Sequence, residues 1–121
     1  MAALDTSLER DQETLERVLC ECADFYAGPP HLRKPQARRT LRVFDRERGQ
    51  FLLMDEGWEG YKHVDQIWVH VELRDGRFWI QQDGTQDGLA LDLLAAGVPK
   101  DRIVLAFHHP SRWKDTEFAA G

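Results

Sequence analysis

The densest group of polar residues in the sequence runs from Gln81 to Gly88 and reads QQDGTQDG. It joins a stretch typical of a strand to a stretch typical of a helix. A glycine-rich approach to a helix N-terminus can bind an anion, because the first amides of the helix have no partner within it. No lysine follows here, however, and Asp83 and Asp87 would repel an anion. The pattern therefore favours a capped turn from strand to helix over a phosphate site.

Histidines and serines are the other residues that could do chemistry. His108 and His109 are neighbours whose side chains point apart, and no HExxH-like spacing of metal ligands is present. Ser7 and Ser111 lack the glycine-flanked setting of a nucleophilic serine. We therefore predict no catalytic residue, no metal and no cofactor. A small hydrolase that uses Asp83, His108 and His109 is the weakest alternative.

Size and charge limit the kind of partner. The chain has 121 residues and 42% apolar side chains, which suits one domain, residues 1–121, around one core. Its net charge of −5 argues against a general nucleic-acid or membrane surface. The segment His31–Arg42 is an exception without any acid, and its basic residues are Arg33, Lys34, Arg38, Arg39 and Arg42. It is predicted to be a solvated loop, with nucleic-acid binding as the weaker alternative.

Cysteine usage and the chain's N-terminus indicate the compartment. Cys20 and Cys22 lie two residues apart in a predicted helix, about 200° apart around its axis, so they cannot bridge each other. Reduced thiols are typical of the cytosol. The N-terminus has no pattern of an export signal, and the apolar runs are too short to span a membrane. We therefore expect a cytoplasmic protein.

Two helices are predicted. The first runs from about Thr6 to Ala27, with Thr6 and Glu9 as a capping box. Its apolar stripe, at 3.6-residue spacing, is Leu8, Leu15, Val18, Leu19, Cys22 and Phe25. The second runs from about Asp87 to Ala96, capped by Asp83 or Thr85 and ended by Gly97–Pro99 in a Schellman motif.

Five strands are predicted: Thr40–Asp45, Gln50–Trp58, His63–Leu73, Arg77–Gln82 and Ile103–Phe107. Asp75–Gly76 is a two-residue hairpin turn, which places Leu73 opposite Phe78 and His70 opposite Gln81. The fully apolar fifth strand should lie buried beside a parallel neighbour. The fold class is therefore α+β: a four-stranded antiparallel sheet with a long N-terminal helix, a second helix and a short C-terminal strand, in the order α-β-β-β-β-α-β.

The hairpin register gives the sheet two different faces. The apolar face, which should pack on the first helix, is Ile67, Val69, Val71, Leu73, Phe78 and Ile80. The other face mixes aromatic and polar residues: Trp68, His70, Glu72, Trp79 and Gln81. Either another part of the chain covers this mixed face or a partner binds it. The predicted partner-binding residues are Trp68, His70, Trp79, Gln81, Asp83 and Thr85.

The last segment, His108–Gly121, has no period but contains Trp113 and Phe118. Each would contribute about 2 kcal/mol if buried. We therefore predict that this tail folds back and buries at least one of them. Phe118 is the preferred residue, either near the turn Asp83–Thr85 or across a homodimer interface.

Several segments together resemble the XisI family, the fdxN element excision controlling factors. They are Arg77–Thr85, Gly97–Leu105, Phe51–Trp58, the pair His70 and Glu72 before Asp75–Gly76, and the ending Thr116–Gly121. The resemblance covers about Thr40 to Gly121 and a comparable N-terminal helix. Tyr61–Gln66 and His108–Trp113 depart from the family's pattern.

The resemblance implies a non-enzymatic accessory role in the excision of a DNA element. Members of that family act beside a recombinase and a companion, XisH, whose fold is nuclease-like. The resemblance supplies no catalytic residues. It implies a protein that binds a XisH-like partner and meets DNA indirectly. A direct DNA-binding accessory factor is the alternative, and self-association into a homo-oligomer stays open.

Overall fold

The computed structural model describes residues 2–29, 31 and 38–120, without the side chains of residues 2–6. The order of helices and strands agrees with the prediction. The elements are α1 (Ala2–Ala27), β1 (Arg39–Asp45), β2 (Gln50–Glu59), β3 (Lys62–Arg74), β4 (Arg77–Asp83), α2 (Leu89–Ala95) and β5 (Ile103–Val104), with 3-10 turns at Lys100–Arg102 and Pro110–Asp115. No helix among these residues is long and apolar enough to cross a membrane.

One mixed sheet contains all five strands, in the spatial order β1-β2-β3-β4-β5. The first four are antiparallel, and β5 runs parallel to β4. The α+β class and the order of elements are thus confirmed, and the short C-terminal strand belongs to the sheet. β5 ends at Val104, earlier than predicted, and Phe107 beyond it donates its amide to the Ile80 carbonyl at 3.1 Å.

Helix α1 is longer than predicted, and among its described side chains, residues 7–27, only those in the middle are buried. It begins at Ala2, so Thr6 lies inside the helix and the predicted capping box is wrong. Leu8 and Phe25 are exposed, at 49% and 76%, although they belong to the predicted stripe. A helix of 26 residues is about 39 Å long, and its ends extend past the core. Between residues 7 and 27, the buried residues of α1 are Gln12, Leu15, Val18, Leu19, Cys22 and Ala23.

A bulge in β3 exchanges two side chains between the faces of the sheet. Leu53 pairs with Val69 and Met54 pairs with Ile67, so Trp68 is the extra residue. Trp68 therefore lies on the helix side, where its indole Nε1 donates to Asp55 Oδ1 at 3.0 Å. Ile67 lies on the opposite face and is 41% exposed. The predicted faces are wrong for both residues.

A second bulge, in β4, changes the hairpin register after its first pairs. Val71 pairs with Ile80 as predicted, but His70 pairs with Gln82 and not with Gln81. Gln81 is the extra residue. Asp83 consequently pairs with Val69 and points to the helix side of the sheet.

The core lies between the helices and one face of the sheet, and its fully buried members include Leu15, Leu19, Phe51, Leu53, Phe78 and Ile80. Helix α2 starts at Leu89, two residues later than predicted. Its Schellman ending is confirmed: the Val98 amide donates to Leu93 O and the Gly97 amide to Leu94 O, both at 3.0 Å.

The C-terminal tail folds back, as predicted. Trp113 packs edge-to-face on Trp79, with ring centroids 5.7 Å apart. Phe118 packs against the core, and the Ala119 amide donates to the Ile103 carbonyl at 2.8 Å. Phe118 thus lies beside β5. The predicted position near the turn Asp83–Thr85 is wrong, because Ile103 pairs with Phe78 near the opposite end of β4.

Candidate functional site

The structure does not bring the six predicted partner-binding residues onto one surface. Trp68, Asp83 and Thr85 lie on the helix side, because the two bulges turn Trp68 and Asp83 toward the helices. His70 and Trp79 lie on the other side, and Gln81, the extra residue of the β4 bulge, is half-buried. The six residues thus lie on two different sides of the sheet, and their role in partner binding stays a prediction.

Trp79 is covered by the tail and is only 6% exposed. Trp113 lies on one side of it, and the Arg74 guanidinium lies 4.0 Å from the centre of its ring system. Its indole Nε1 donates to the Arg74 carbonyl at 3.0 Å. Trp79 therefore anchors the tail and offers little surface to another molecule.

His70 belongs to a chain of polar contacts across three residues. Its Nε2 lies 2.7 Å from Gln50 Oε1, and Gln50 Nε2 donates to Glu72 Oε2 at 3.1 Å. Burial lowers the pKa of His70, and this outweighs the opposite effect of Glu72. Burial thus favours the uncharged form of the ring.

Asp83 and Thr85 build the turn that leads into α2. The Asp83 carboxylate accepts from the Thr85 amide at 2.9 Å, from the Thr85 hydroxyl at 2.5 Å, and from the Leu89 amide at 2.7 Å. Gly84 donates its amide to Trp68 O at 2.7 Å, and a Cβ there would lie 2.7 Å from that oxygen. Asp83 thus bonds the first amide of α2, but the prediction that Asp83 or Thr85 is the N-cap residue is wrong, because Gly88 holds that position.

One large apolar surface was missed by the sequence reasoning. The residues of β1, β2 and β3 that face away from the helices form the open sheet face: Leu41, Val43, Leu52, Met54, Trp58 and Ile67. Val43 is 40% exposed, Trp58 54% and Ile67 41%. No helix among the described residues packs on them, and Trp113 of the tail packs on Trp79 of β4. Their alternation with core residues such as Phe51 and Leu53 was the signal that could have revealed this face.

The basic residues at the start of β1 are engaged in ion pairs. Arg38 bonds Asp55 at 2.9 Å and also Glu59, and Arg42 pairs with Asp24. Arg33 and Lys34 lie outside the described residues. Nucleic-acid binding by this segment stays a prediction.

Arg39 completes this set of ion pairs. It bonds Glu56 at 2.8 Å, and His63 lies 3.2 Å from the other oxygen of that carboxylate. The hydrogen bond with Arg39, and to a smaller extent the one with His63, lowers the pKa of Glu56. The charges at this edge of the open sheet face are thus balanced by local partners.

The residues of the hydrolase alternative have structural partners of their own. His109 Nδ1 lies 2.9 Å from Ser111 Oγ and accepts from the Ser111 amide, which starts a 3-10 turn. The ring of His108 lies against Phe107, with centroids 4.5 Å apart. Within residues 2–29, 31 and 38–120, no three side chains of His, Cys, Asp or Glu form a group that could hold a metal.

Comparison with known proteins assigns the family. The family model described as XisI protein matches residues 5–120. The chain belongs to the XisI family. No curated protein matches the sequence.

Two solved XisI structures from Anabaena variabilis share the fold. The fdxN element excision controlling factor XisI is 30% identical, with a TM-score of 0.79 over 95% of this chain and 99% of that one. A XisI-like protein is 26% identical, with a TM-score of 0.82 over 94% of this chain and 99% of that one. The XisI fold therefore extends over nearly the whole chain.

The sequence predicts a departure from the XisI pattern in two segments, Tyr61–Gln66 and His108–Trp113. Tyr61–Gln66 begins at the turn between β2 and β3, where Tyr61 is fully exposed. His108–Trp113 contains the 3-10 turn that places Trp113 on Trp79.

The two cysteines of this XisI-family protein should react with a thiol reagent at different rates. Both are free; Cys20 is half-buried and Cys22 is buried. Burial, with smaller effects of Asp92 and Asp83, raises the pKa of the Cys22 thiol from 9.0 to about 11. Because the thiolate is the reactive form, Cys22 should label more slowly than Cys20 in the native protein at about pH 8. The single variants Cys20→Ser and Cys22→Ser, followed by mass spectrometry, separate the two rates.

The same pKa shift predicts a loss of stability in alkali. The folded protein keeps the Cys22 proton to a higher pH than the unfolded chain does. Its contribution to the free energy of unfolding is therefore complete below pH 9.0 and is lost as the pH rises to about 11. Equal labelling rates of Cys20 and Cys22 would contradict the first prediction. A Cys22→Ser variant whose free energy of unfolding falls with pH as the parent's does would contradict the second.

Proposed function

We propose that this XisI-family protein is a non-catalytic controlling factor that binds a XisH-like, nuclease-fold protein and thereby acts in the excision of a DNA element or a related process. The name of the relative from Anabaena variabilis, an excision controlling factor, supports the process. The observation that carries the proposal is the open sheet face. Contiguous exposed apolar surface is uncommon on monomeric proteins and marks places where another molecule binds.

The composition of the open sheet face suits a protein partner. Trp58 lies at one end with its ring against His63, at 4.8 Å between centroids. Large aromatic side chains contribute most to binding when a partner covers them. Ile67 and Val43 add branched apolar side chains that would lose water in the complex. The paired Arg39 and Glu56 form a polar rim, as most interfaces between proteins have.

Direct DNA binding has less support. Counterion release requires arginine and lysine side chains that are free to contact phosphates. Arg38, Arg39 and Arg42 each have a carboxylate partner within the chain, which a phosphate would have to replace. The net charge of −5 adds repulsion at long range. A gel shift with duplex DNA at low salt should therefore show no retention.

An enzymatic role also has less support. The Asp83 carboxylate accepts three hydrogen bonds that hold the start of α2, and His109 holds a turn with Ser111. Each of these groups thus has a structural use that does not require a substrate. Replacing His108 or His109 by alanine should leave the biological activity unchanged.

Co-expression with a XisH-like protein tests the proposal. A tag on one of the two proteins should recover both in a stoichiometric complex that survives size-exclusion chromatography at micromolar concentration. Light scattering of this chain alone distinguishes the competing outcome, in which a second copy covers the open sheet face. Two proteins that elute separately at micromolar concentration would refute the proposal.

A further inference from the structure

A groove lies on the helix side of the sheet, between the C-terminal half of α1 and α2. Its volume is about 570 Å³. Its lining includes the apolar side chains of Val18, Cys22, Ala95 and Ala96. It is separate from the open sheet face, because α1 and α2 pack on the opposite side of the sheet. We name it the α1–α2 groove.

Two aromatic residues form one wall of the groove, and one of them is uncovered. Tyr26 is fixed, because its hydroxyl accepts the Gln86 amide at 2.7 Å and its ring packs edge-to-face on Trp68 at 5.4 Å. Phe25 packs edge-to-face on Tyr26, with centroids 5.2 Å apart. Phe25 nevertheless leaves 76% of its surface in solvent. Because the ring of Phe25 packs on Tyr26 and is still exposed to solvent, it is already positioned to contact another molecule.

The charges around the groove are mostly negative and lack partners. Glu21, Asp87 and Asp92 line it, and none of them forms an ion pair within the described residues. Arg17 is the basic side chain in the lining. This differs from the edge of the open sheet face, where Arg39 and Glu56 neutralise each other. A cation in the groove would meet carboxylates that are not already paired.

The electrostatics of Asp92 agree with this picture. Burial raises its pKa, and the nearby carboxylates of Asp83, Asp87 and Glu21 raise it further. A bound guanidinium or ammonium group would relieve this repulsion.

We infer that the α1–α2 groove binds an arginine-rich amphipathic segment of another protein. The apolar side of such a segment fits the apolar lining of Val18, Cys22 and the alanines. Its arginine side chains can lie over the ring of Phe25, since a planar guanidinium stacks well on an aromatic face. The same side chains can bond Asp87 and Asp92. An acidic segment or a nucleic acid would be repelled.

Binding of a synthetic peptide to the whole protein tests this inference. The probe is a fluorescent, end-blocked helical peptide of leucine, glutamine and arginine, and the control peptide has glutamate in place of every arginine. Fluorescence anisotropy should show binding of the arginine peptide that weakens as sodium chloride is added, and no binding of the glutamate peptide. Equal binding of both peptides, or none of either, would overturn the inference.

Matched variants locate the binding. Phe25→Ala and the double variant Asp87→Asn, Asp92→Asn should each weaken binding about tenfold. Their controls are Tyr61→Ala and Asp65→Asn, which change an exposed aromatic ring and an exposed carboxylate elsewhere. Binding that responds to the controls and not to the groove variants contradicts the inference. The peptide alone is the probe, so failure here is distinct from failure to bind a XisH-like protein.

Discussion

Asp83→Ala should lower the free energy of unfolding by about 3 kcal/mol. Its carboxylate accepts from the Thr85 amide, the Thr85 hydroxyl and the Leu89 amide. Removing it leaves these donors without their acceptor at a half-buried place, and each unsatisfied group costs about 1–3 kcal/mol. Helix α2 has only seven residues, so it depends on such contacts more than a long helix does.

Chemical denaturation and hydrogen exchange measure this effect. Exchange at the Leu89 amide should accelerate, because its acceptor is gone. Asp83→Asn is the matched control: it keeps one acceptor oxygen and should lose about 1 kcal/mol. A loss below about 0.5 kcal/mol in the alanine variant, which is usual for an ordinary surface change, would show that the turn is held by other contacts.

Deletion of residues 116–121 should lower the melting temperature by about 10 °C. The deletion removes Phe118 from the core, which costs about 2 kcal/mol. It also removes the Ala119 amide that bonds the Ile103 carbonyl, which adds about 1 kcal/mol. β5 has only two residues, so removal of the tail segment around Ala119, which lies beside β5, exposes much of this strand.

Two point variants show which residue of the deleted segment accounts for the fall in melting temperature. Phe118→Ala should reproduce most of the fall in melting temperature, because burial is the larger contribution. Glu117→Ala removes an exposed ion pair with Lys100 and should change little. An unchanged melt and an unchanged elution volume after the deletion would mean that the tail contributes nothing to the fold.

The fold could be predicted from local patterns because its strands are joined by short turns. Asp75–Gly76 set the start of one hairpin correctly, from Leu73 opposite Phe78 to Val71 opposite Ile80. Gly97–Pro99 likewise set the end of α2. In such places the backbone needs a particular residue type, so the sequence alone is informative.

The candidate site could not be predicted in the same way, because bulges break the two-residue period on which the prediction of faces depends. One extra residue in β3 moves Trp68 to the helix side, and one in β4 does the same for Asp83. The cover over Trp79 comes from Trp113, far along the chain, and no local pattern shows it. The exposed ring of Phe25 was misassigned because helical period does not show where a core ends.

Calorimetric titration of a XisH-like protein with two matched variants tests the central proposal most directly. Ile67→Asp places a charge in the open sheet face, and Leu91→Asp places the same charge on α2, where Leu91 is 55% exposed. We predict that Ile67→Asp weakens binding about a hundredfold, as loss of a central apolar contact does. Leu91→Asp should bind like the parent. Binding that is unchanged in Ile67→Asp, or lost only in Leu91→Asp, would contradict a partner on the open sheet face.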